Sequence, residues 1–310
     1  MDANDPFHVE ERALQERMGV REQARQRGAM SIRPFMPDQH QRFFEALPLA
    51  FVATLDDAGD PQADVLVGRA GMLRAVTPTL LVVYGTPREH ALRSLRPGAP
   101  LGLLGIDFTN GRRNRANGLV ERHEGEGVGL RVTHSFGNCP RHIHVRRFNP
   151  VGPTTTAAID PRTLVETAAT FFIASRSAEL DPSRGGGVDI SHRGGAPGFV
   201  RWVDDDTVVF DDVPGNNFFN TLGNIASDPR VSLLFVDFDC GRQLRIAGDA
   251  VLVTSMAARQ VRVRVRRTTL ISDEIPELRW PLVAPASPCS SCATGESSLA
   301  APSPIPHPST

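Results

Sequence analysis

The strongest constraint on this chain is that it repeats itself at the length of a domain. Leu103–Gly118, LLGIDFTNGRRNRANG, aligns with Leu233–Gly248, LLFVDFDCGRQLRIAG, at an offset of 130 residues. Leu-Leu, Asp-Phe, Gly-Arg, a second Arg and the closing Gly coincide. Leu92 and Leu95 fall on Leu222 and Ile225 at the same offset, and Phe51-Val52-Ala53 matches Phe172-Ile173-Ala174 at 121. Solenoids repeat every ~20–50 residues; a period this long means two copies of a whole domain.

Each copy reads as antiparallel β-structure. In the second, Gly198–Val203, Thr207–Phe210 and Val231–Phe238 are short runs rich in Val, Phe and Leu, bounded by Gly, Pro, Asn and Asp. Such runs read as strands. Asp204-Asp205-Asp206 turns the first pair into a hairpin, and Gln243–Val253 alternates as a further strand. Asn217–Asp228 carries Phe218, Leu222 and Ile225 at helical spacing and stops at Asp228-Pro229. The first copy opens with a hairpin, Leu49–Gly68, turning at Asp56–Gly59.

The segment Asp189–Val253 resembles the FMN-binding split β-barrel of the pyridoxamine 5′-phosphate oxidase family. The resemblance rests on SDPRVSLLF (Ser227–Phe235), RQLRIAG (Arg242–Gly248) and PGNNFFNTLGN (Pro214–Asn224). SFGNCP (Ser135–Pro140), Phe7-His8 with Glu11-Arg12, and SHRGGAPGFV resemble strings of bacterial members that share a tandem layout. With the duplication, the resemblance implies a mainly β (α+β) fold: two tandem antiparallel split β-barrels forming a pseudo-dimer, with FMN between barrels. The expected division is a helical arm at 1–30, a first barrel with an altered site at 31–130, a connecting segment at 131–150, an FMN-binding barrel at 151–280 and a disordered tail at 281–310.

The physical logic of a phosphate site agrees. A Gly/Asn loop that enters a helix offers backbone N–H groups and a positive dipole end to an anion. Ser191, Arg193, Asn217, Asn220 and Thr221 are the candidates around the phosphate and ribityl chain, Val200 and Arg201 beside the ring, Gln243 at its edge, and Asn224 and Arg245 as further candidates. Gln243 of the second copy is Arg113 in the first, so the first copy is expected to wall the second copy's site rather than to hold its own flavin. Departures from the family pattern put vitamin B6 oxidation in doubt: Phe219-Asn220-Thr221 stands where the family has Ser-Arg-Lys, and no Arg-x-His motif accompanies Leu278-Arg279-Trp280. The implied function is an FMN-dependent oxidoreductase acting on a small molecule. The alternative is a non-catalytic flavin- or haem-binding protein, with His192 or the His142/His144 pair as axial ligand; a deazaflavin is a third cofactor choice.

The rest of the chain narrows the setting. A net charge of −1 gives no field for nucleic acid or an anionic membrane. No apolar run reaches the roughly 20 residues of a membrane span, and MDANDPFHVEERALQERMG is too charged for a signal peptide. A cytoplasmic protein with a small-molecule substrate, no nucleic-acid or membrane partner and a possible homodimer is expected. Glu10–Arg27 is expected as a helix with Gly28 past its end, and Thr163–Ala174 as a helix running into a strand. His134, Cys139, His142 and His144 lack the paired spacing of a zinc site. The Pro/Ser-rich tail holds a Cys289–Cys292 pair without a partner pair.

Overall fold

A computed structural model describes residues 5–84, 92, 95–122, 127–137, 142–151, 160–254, 259–271 and 274–283. Fourteen strands form two seven-stranded antiparallel sheets. The first holds β1 (Leu49–Leu55), β2 (Pro61–Val67), β3 (Leu73–Thr77), β4 (Leu80–Val83), β5 (Pro100–Asp107), β6 (Arg112–Glu121) and β7 (Val128–Gly137). The second holds β8 (Thr170–Arg176), β9 (Val188–Gly194), β10 (Val200–Trp202), β11 (Thr207–Asp211), β12 (Arg230–Val236), β13 (Gln243–Thr254) and β14 (Arg259–Ile271). The orders are β2-β1-β5-β6-β7-β4-β3 and, read from the matching edge, β9-β8-β12-β13-β14-β11-β10. The topologies are identical: this is a tandem pair of split barrels, as the duplication requires.

Local detail repeats as well. The β5–β6 turn closes when the Gly111 N–H donates to the Asp107 carbonyl at 2.8 Å, and the β12–β13 turn when Gly241 donates to Asp237 at 2.7 Å. Both glycines have positive φ, 74° and 83°, which explains the recurring Asp-Phe-x-x-Gly string. The closing glycine of the repeat has a packing reason. Register shifts occur at Asn117/Gly118 and at Ala247/Gly248, where a Cβ on Gly118 or Gly248 would overlap the carbonyl of Arg131 or Arg264 on the next strand.

Each barrel has its own core, Met36, Phe44, Leu66 and Leu103 in the first, Phe171, Phe210, Phe235 and Leu244 in the second. A third cluster joins them: Phe51, Leu104, Ile106 and Phe108 from one barrel, Phe172, Leu234, Val236 and Phe238 from the other. These are the same positions in the two copies. The Phe51 and Phe172 rings stack with centroids 3.5 Å apart, on the pseudo-twofold axis. Strands buried on both faces, such as β1 and β8, read as continuous apolar runs for this reason.

Five helices accompany the sheets, and several differ from expectation. The arm is two helices, α1 (Val9–Arg17) and α2 (Arg21–Ser31), broken at Gly19 with φ 67°. Gly28 lies inside α2 because the Phe7 ring rests there; a Cβ would come within 2.6 Å of it. A third helix, α3 (Asp38–Glu45), covers the first core with Phe43 and Phe44. The helix expected over Thr163–Ala174 is only α4 (Pro161–Thr167). Beyond it Phe171, Phe172 and Ile173 are all buried, and aromatic and β-branched residues favour the strand. The helix expected within Asn217–Asp228 is α5 (Asn220–Ser227). β7 runs on to Gly137, across the boundary expected at residue 130. Cys139 and the 284–310 tail with Cys289 and Cys292 lie outside the described residues. Among the described helices none is long and apolar enough to cross a membrane.

Candidate functional site at the barrel junction

The loop between β11 and α5 bends sharply before the helix. Asn217 and Phe219 both adopt left-handed conformations, φ 63° and 61°, which non-glycine residues rarely hold unless the surroundings enforce them. Phe219 is the N-cap residue and offers no side-chain cap, so no side chain closes the helix start at Asn220, Thr221 and Leu222. These residues line a cleft of about 100 Å³, partly open to solvent, with Ser191 and Arg193 of β9, Asp212, Asn217 and Arg259. Five of the expected residues, Ser191, Arg193, Asn217, Asn220 and Thr221, are thus brought together.

The residue that completes the cleft belongs to the other barrel. Arg115 projects from β6 into it. Its guanidinium donates to Ser191 Oγ at 2.7 Å and to Asn220 Oδ1 at 3.2 Å, and its Nε lies 3.1 Å from Asp189 Oδ1. Thr221 Oγ1 in turn donates to Ser191 Oγ at 2.8 Å. Burial pulls the Arg115 pKa below its usual value, and Asp189 counters that pull. Arg193 and Arg259 share Asp212, at 3.8 and 3.1 Å. Arg193 Nε is buried and makes no hydrogen bond among the described residues. Three guanidiniums, two hydroxyls and an uncapped helix start therefore face one cleft, and that donor set fits a phosphate monoester.

The other five expected residues sit elsewhere. Val200 is in the second core and Arg201 is exposed on β10. Asn224 is buried one turn along α5 from Asn220, donating to Ser175 Oγ at 3.0 Å and bonded to His8 Nε2 at 3.1 Å. Gln243 is buried at the start of β13. Arg245 reaches across the junction to the first barrel, 3.2 Å from Asp64 Oδ2 and 2.9 Å from the Ala63 carbonyl. The reason is the pseudo-twofold. β13 of the second barrel faces β2 of the first, and β6 of the first faces β9 of the second. Arg115 is Arg245 at the offset of 130, and Arg113 takes the place of Gln243. The residue expected to mark the first copy as altered thus lies at the second copy's strand. Arg113 Nη1 is 3.5 Å from His192 Nδ1, and burial with the arginine holds the His192 pKa well below its usual value. The repeat itself held the signal for Arg115, had the strand been assigned to the partner barrel.

His192 is buried, its ring edge-on to Phe172, and His144 Nε2 is 3.0 Å from the Gly195 carbonyl. Among the described residues no group of three or more His, Cys, Asp or Glu could hold a metal ion. Sequence reasoning also missed Glu11. It is buried on α1, accepts from Asn220 Nδ2 at 2.6 Å and from the His8 N–H at 2.8 Å, and burial pushes its carboxyl up to about 8.

The cleft is completed across two tandem antiparallel split barrels, with arginines from both lining it. Residues 158–285, within the second half of the chain, match the pyridoxamine 5′-phosphate oxidase family model. No curated protein matches the chain. Among solved structures, it is similar to HupZ of Group A Streptococcus (18% identity, 36% of this chain and 92% of that chain, TM-score 0.29). It is also similar to an F420 reductase (14% identity, 36% and 98%, TM-score 0.27).

Proposed function

We propose that the chain binds one FMN at the second barrel's junction cleft and serves as a flavin-dependent oxidoreductase for a small molecule. The observation that carries this reading is the donor set, Arg115, Arg193, Arg259, Ser191 and Thr221, gathered at the start of α5, with all but Arg115 in the segment that matches the family. In this reading Arg193 and Arg259 neutralise the phosphate, exchanging part of their contact with Asp212 for it. Ser191 and Thr221 orient its oxygens, and Arg115 locks β9 to α5. A bound flavin supplies hydride-transfer chemistry; the protein binds and orients it. No nucleophile or metal is required of the chain.

The test is a titration of the full-length protein with FMN and with riboflavin, followed by flavin fluorescence. One FMN per chain, with riboflavin bound at least about tenfold more weakly, is expected from losing charge-assisted hydrogen bonds. Equal affinity for the two would overturn the phosphate assignment, and two FMN per chain the single site.

A further inference from the structure

The N-terminal arm sets several of its anchors on α5 and on Phe218, the residue before its N-cap. Phe7 packs on Phe218 with ring centroids 5.2 Å apart, and Phe136 of β7 packs on the other side of Phe218 at 6.1 Å. Gln15, fully buried, donates to the Phe218 carbonyl at 3.1 Å. Glu11 holds Asn220, His8 holds Asn224, and α1 lies along α5. The fit is close: a Cβ on Gly223 of α5 would overlap the Glu11 side chain and stand 2.9 Å from the Glu11 nitrogen. Phe218 sits between Asn217 and Phe219, the two residues in left-handed conformations, and α5 has no side-chain cap of its own. Phe219 is a residue that the left-handed region does not favour. Asn216 accepts from the Phe218 N–H at 3.1 Å and Arg259 lies over the Phe219 ring, and the arm adds the further contacts that hold the bend.

We infer that residues Phe7–Gln15 form a clamp that holds the phosphate-binding loop in its binding conformation, with Glu11 and Gln15 as positioning residues. Neither lies among the three guanidiniums and two hydroxyls assigned to the anion. Both act through the loop: Gln15 fixes the Phe218 carbonyl, and Glu11 fixes the Asn220 amide so that its carbonyl oxygen meets Arg115. The arm thereby joins the helix of one barrel to the strand of the other. Phe7 and Phe136 close the same wedge from two sides, so the clamp reports on whether the barrels are docked. This inference rests on the proposed function for the identity of the ligand, not for the mechanics of the loop.

The discriminating variant is Gly223→Ala in the full-length protein. Alanine suits a helix better than glycine, so α5 is kept while the added methyl displaces Glu11. Amide hydrogen exchange across residues 216–222 of the flavin-free protein, alongside FMN affinity, is the readout. Exchange is expected to rise at least tenfold and FMN affinity to fall about tenfold; Gln15→Ala should do the same, and Glu11→Gln, which keeps one of the two acceptors that Asn220 and the His8 N–H use, should fall between these variants and wild type. Unchanged exchange in both Gly223→Ala and Gln15→Ala would overturn the clamp, whatever FMN does. Raised exchange with unchanged FMN affinity would overturn its role in positioning. Wild-type protein that takes up no FMN would overturn the functional reading and leave the exchange comparison to decide the clamp.

Discussion

The two barrels share a topology down to their turns and bulges, yet the two positions related by the pseudo-twofold are chemically unlike. Strand register places Phe172 opposite His192 and Phe51 opposite Val65. Ser191 of the second barrel is therefore Asp64 in the first, and Arg193 is Leu66. Around Ser191 the partner barrel's Arg115 pairs with Asp189, meets a hydroxyl and an amide oxygen, and shares its cleft with two further cations, Arg193 and Arg259. Around Asp64 the partner's Arg245 meets a carboxylate and spends its charge there. Leu66 is fully buried in the first core, so that side offers no second cation. The same arginine at the same place in the same strand is ion-paired on both sides, but only on one side does it also line a cleft with further cations. The difference lies in the residues that the arginine meets, not in the fold.

The largest expected effect tests what the halves share. Phe51→Ala or Phe172→Ala removes half of the stacked pair on the axis and should cost about 3–5 kcal/mol, read as a lower midpoint in denaturant unfolding. Similar losses from either side are expected. A loss of less than about 1 kcal/mol would mean that the barrels are stable apart.

A second experiment erases the difference. Ser191→Asp with Arg193→Leu writes the first barrel's residues into the second, and should weaken FMN at least about a hundredfold through one lost cation and one added carboxylate. Retained FMN binding would move the site elsewhere.

Single arginines sharpen the comparison. Arg115→Ala should weaken FMN by about 1.5–3 kcal/mol, or roughly 10–150-fold, while Arg245→Ala should leave FMN affinity within about twofold. Both variants should lose stability, since each leaves a carboxylate at the junction without its arginine. Equal FMN losses would contradict the asymmetry.

The smallest effect concerns pH. Glu11 is raised to about 8 by burial first, against hydrogen bonds from Asn220 and His8, with Asp189 raising and Arg115 lowering it further. Its contribution to stability is fully present below its unfolded value of 4.5 and is lost as pH rises through about 8. His8 and His40, lowered to about 4 by burial, act in the opposite sense: their contribution is present above 6.5 and is lost as pH falls toward 4. Glu11→Gln should therefore flatten the fall in Tm between about pH 4.5 and 8, most cleanly above 6.5 where the contribution of the two histidines no longer changes, and leave the region below 4.5 unchanged. A wild-type alkaline limb persisting in Glu11→Gln would assign it to another group.

Much of this was legible in the chain. The offset of 130 carried the duplication because the Asp-Phe-x-x-Gly turn and the bulge glycine are needed wherever the fold is built. The cluster Ser191, Arg193, Asn217, Asn220 and Thr221 was legible because a loop and the helix it enters are neighbours in sequence. Arg115 was not, because its partners are 76 and 105 residues away and a symmetry operation decides which barrel it serves. Glu11 was not, because a carboxyl 209 residues from Asn220 reads as one more charge on a polar helix. The break at Gly19 and the end of α4 were set by packing that local propensity does not contain.

The ring pair on the axis has a consequence for how the chain is made. Phe51, Leu104 and Phe108 face residues that have not been synthesised when the first barrel is complete at Gly137. At ~5–20 residues per second the ribosome needs roughly five to twenty seconds more to deliver Phe172, Leu234 and Phe238. For that interval the nascent first barrel presents an apolar face with no cover, and two nascent chains on one messenger could pair through it. The order of synthesis, as much as the final contacts, then decides whether each barrel meets its own partner or a neighbour's.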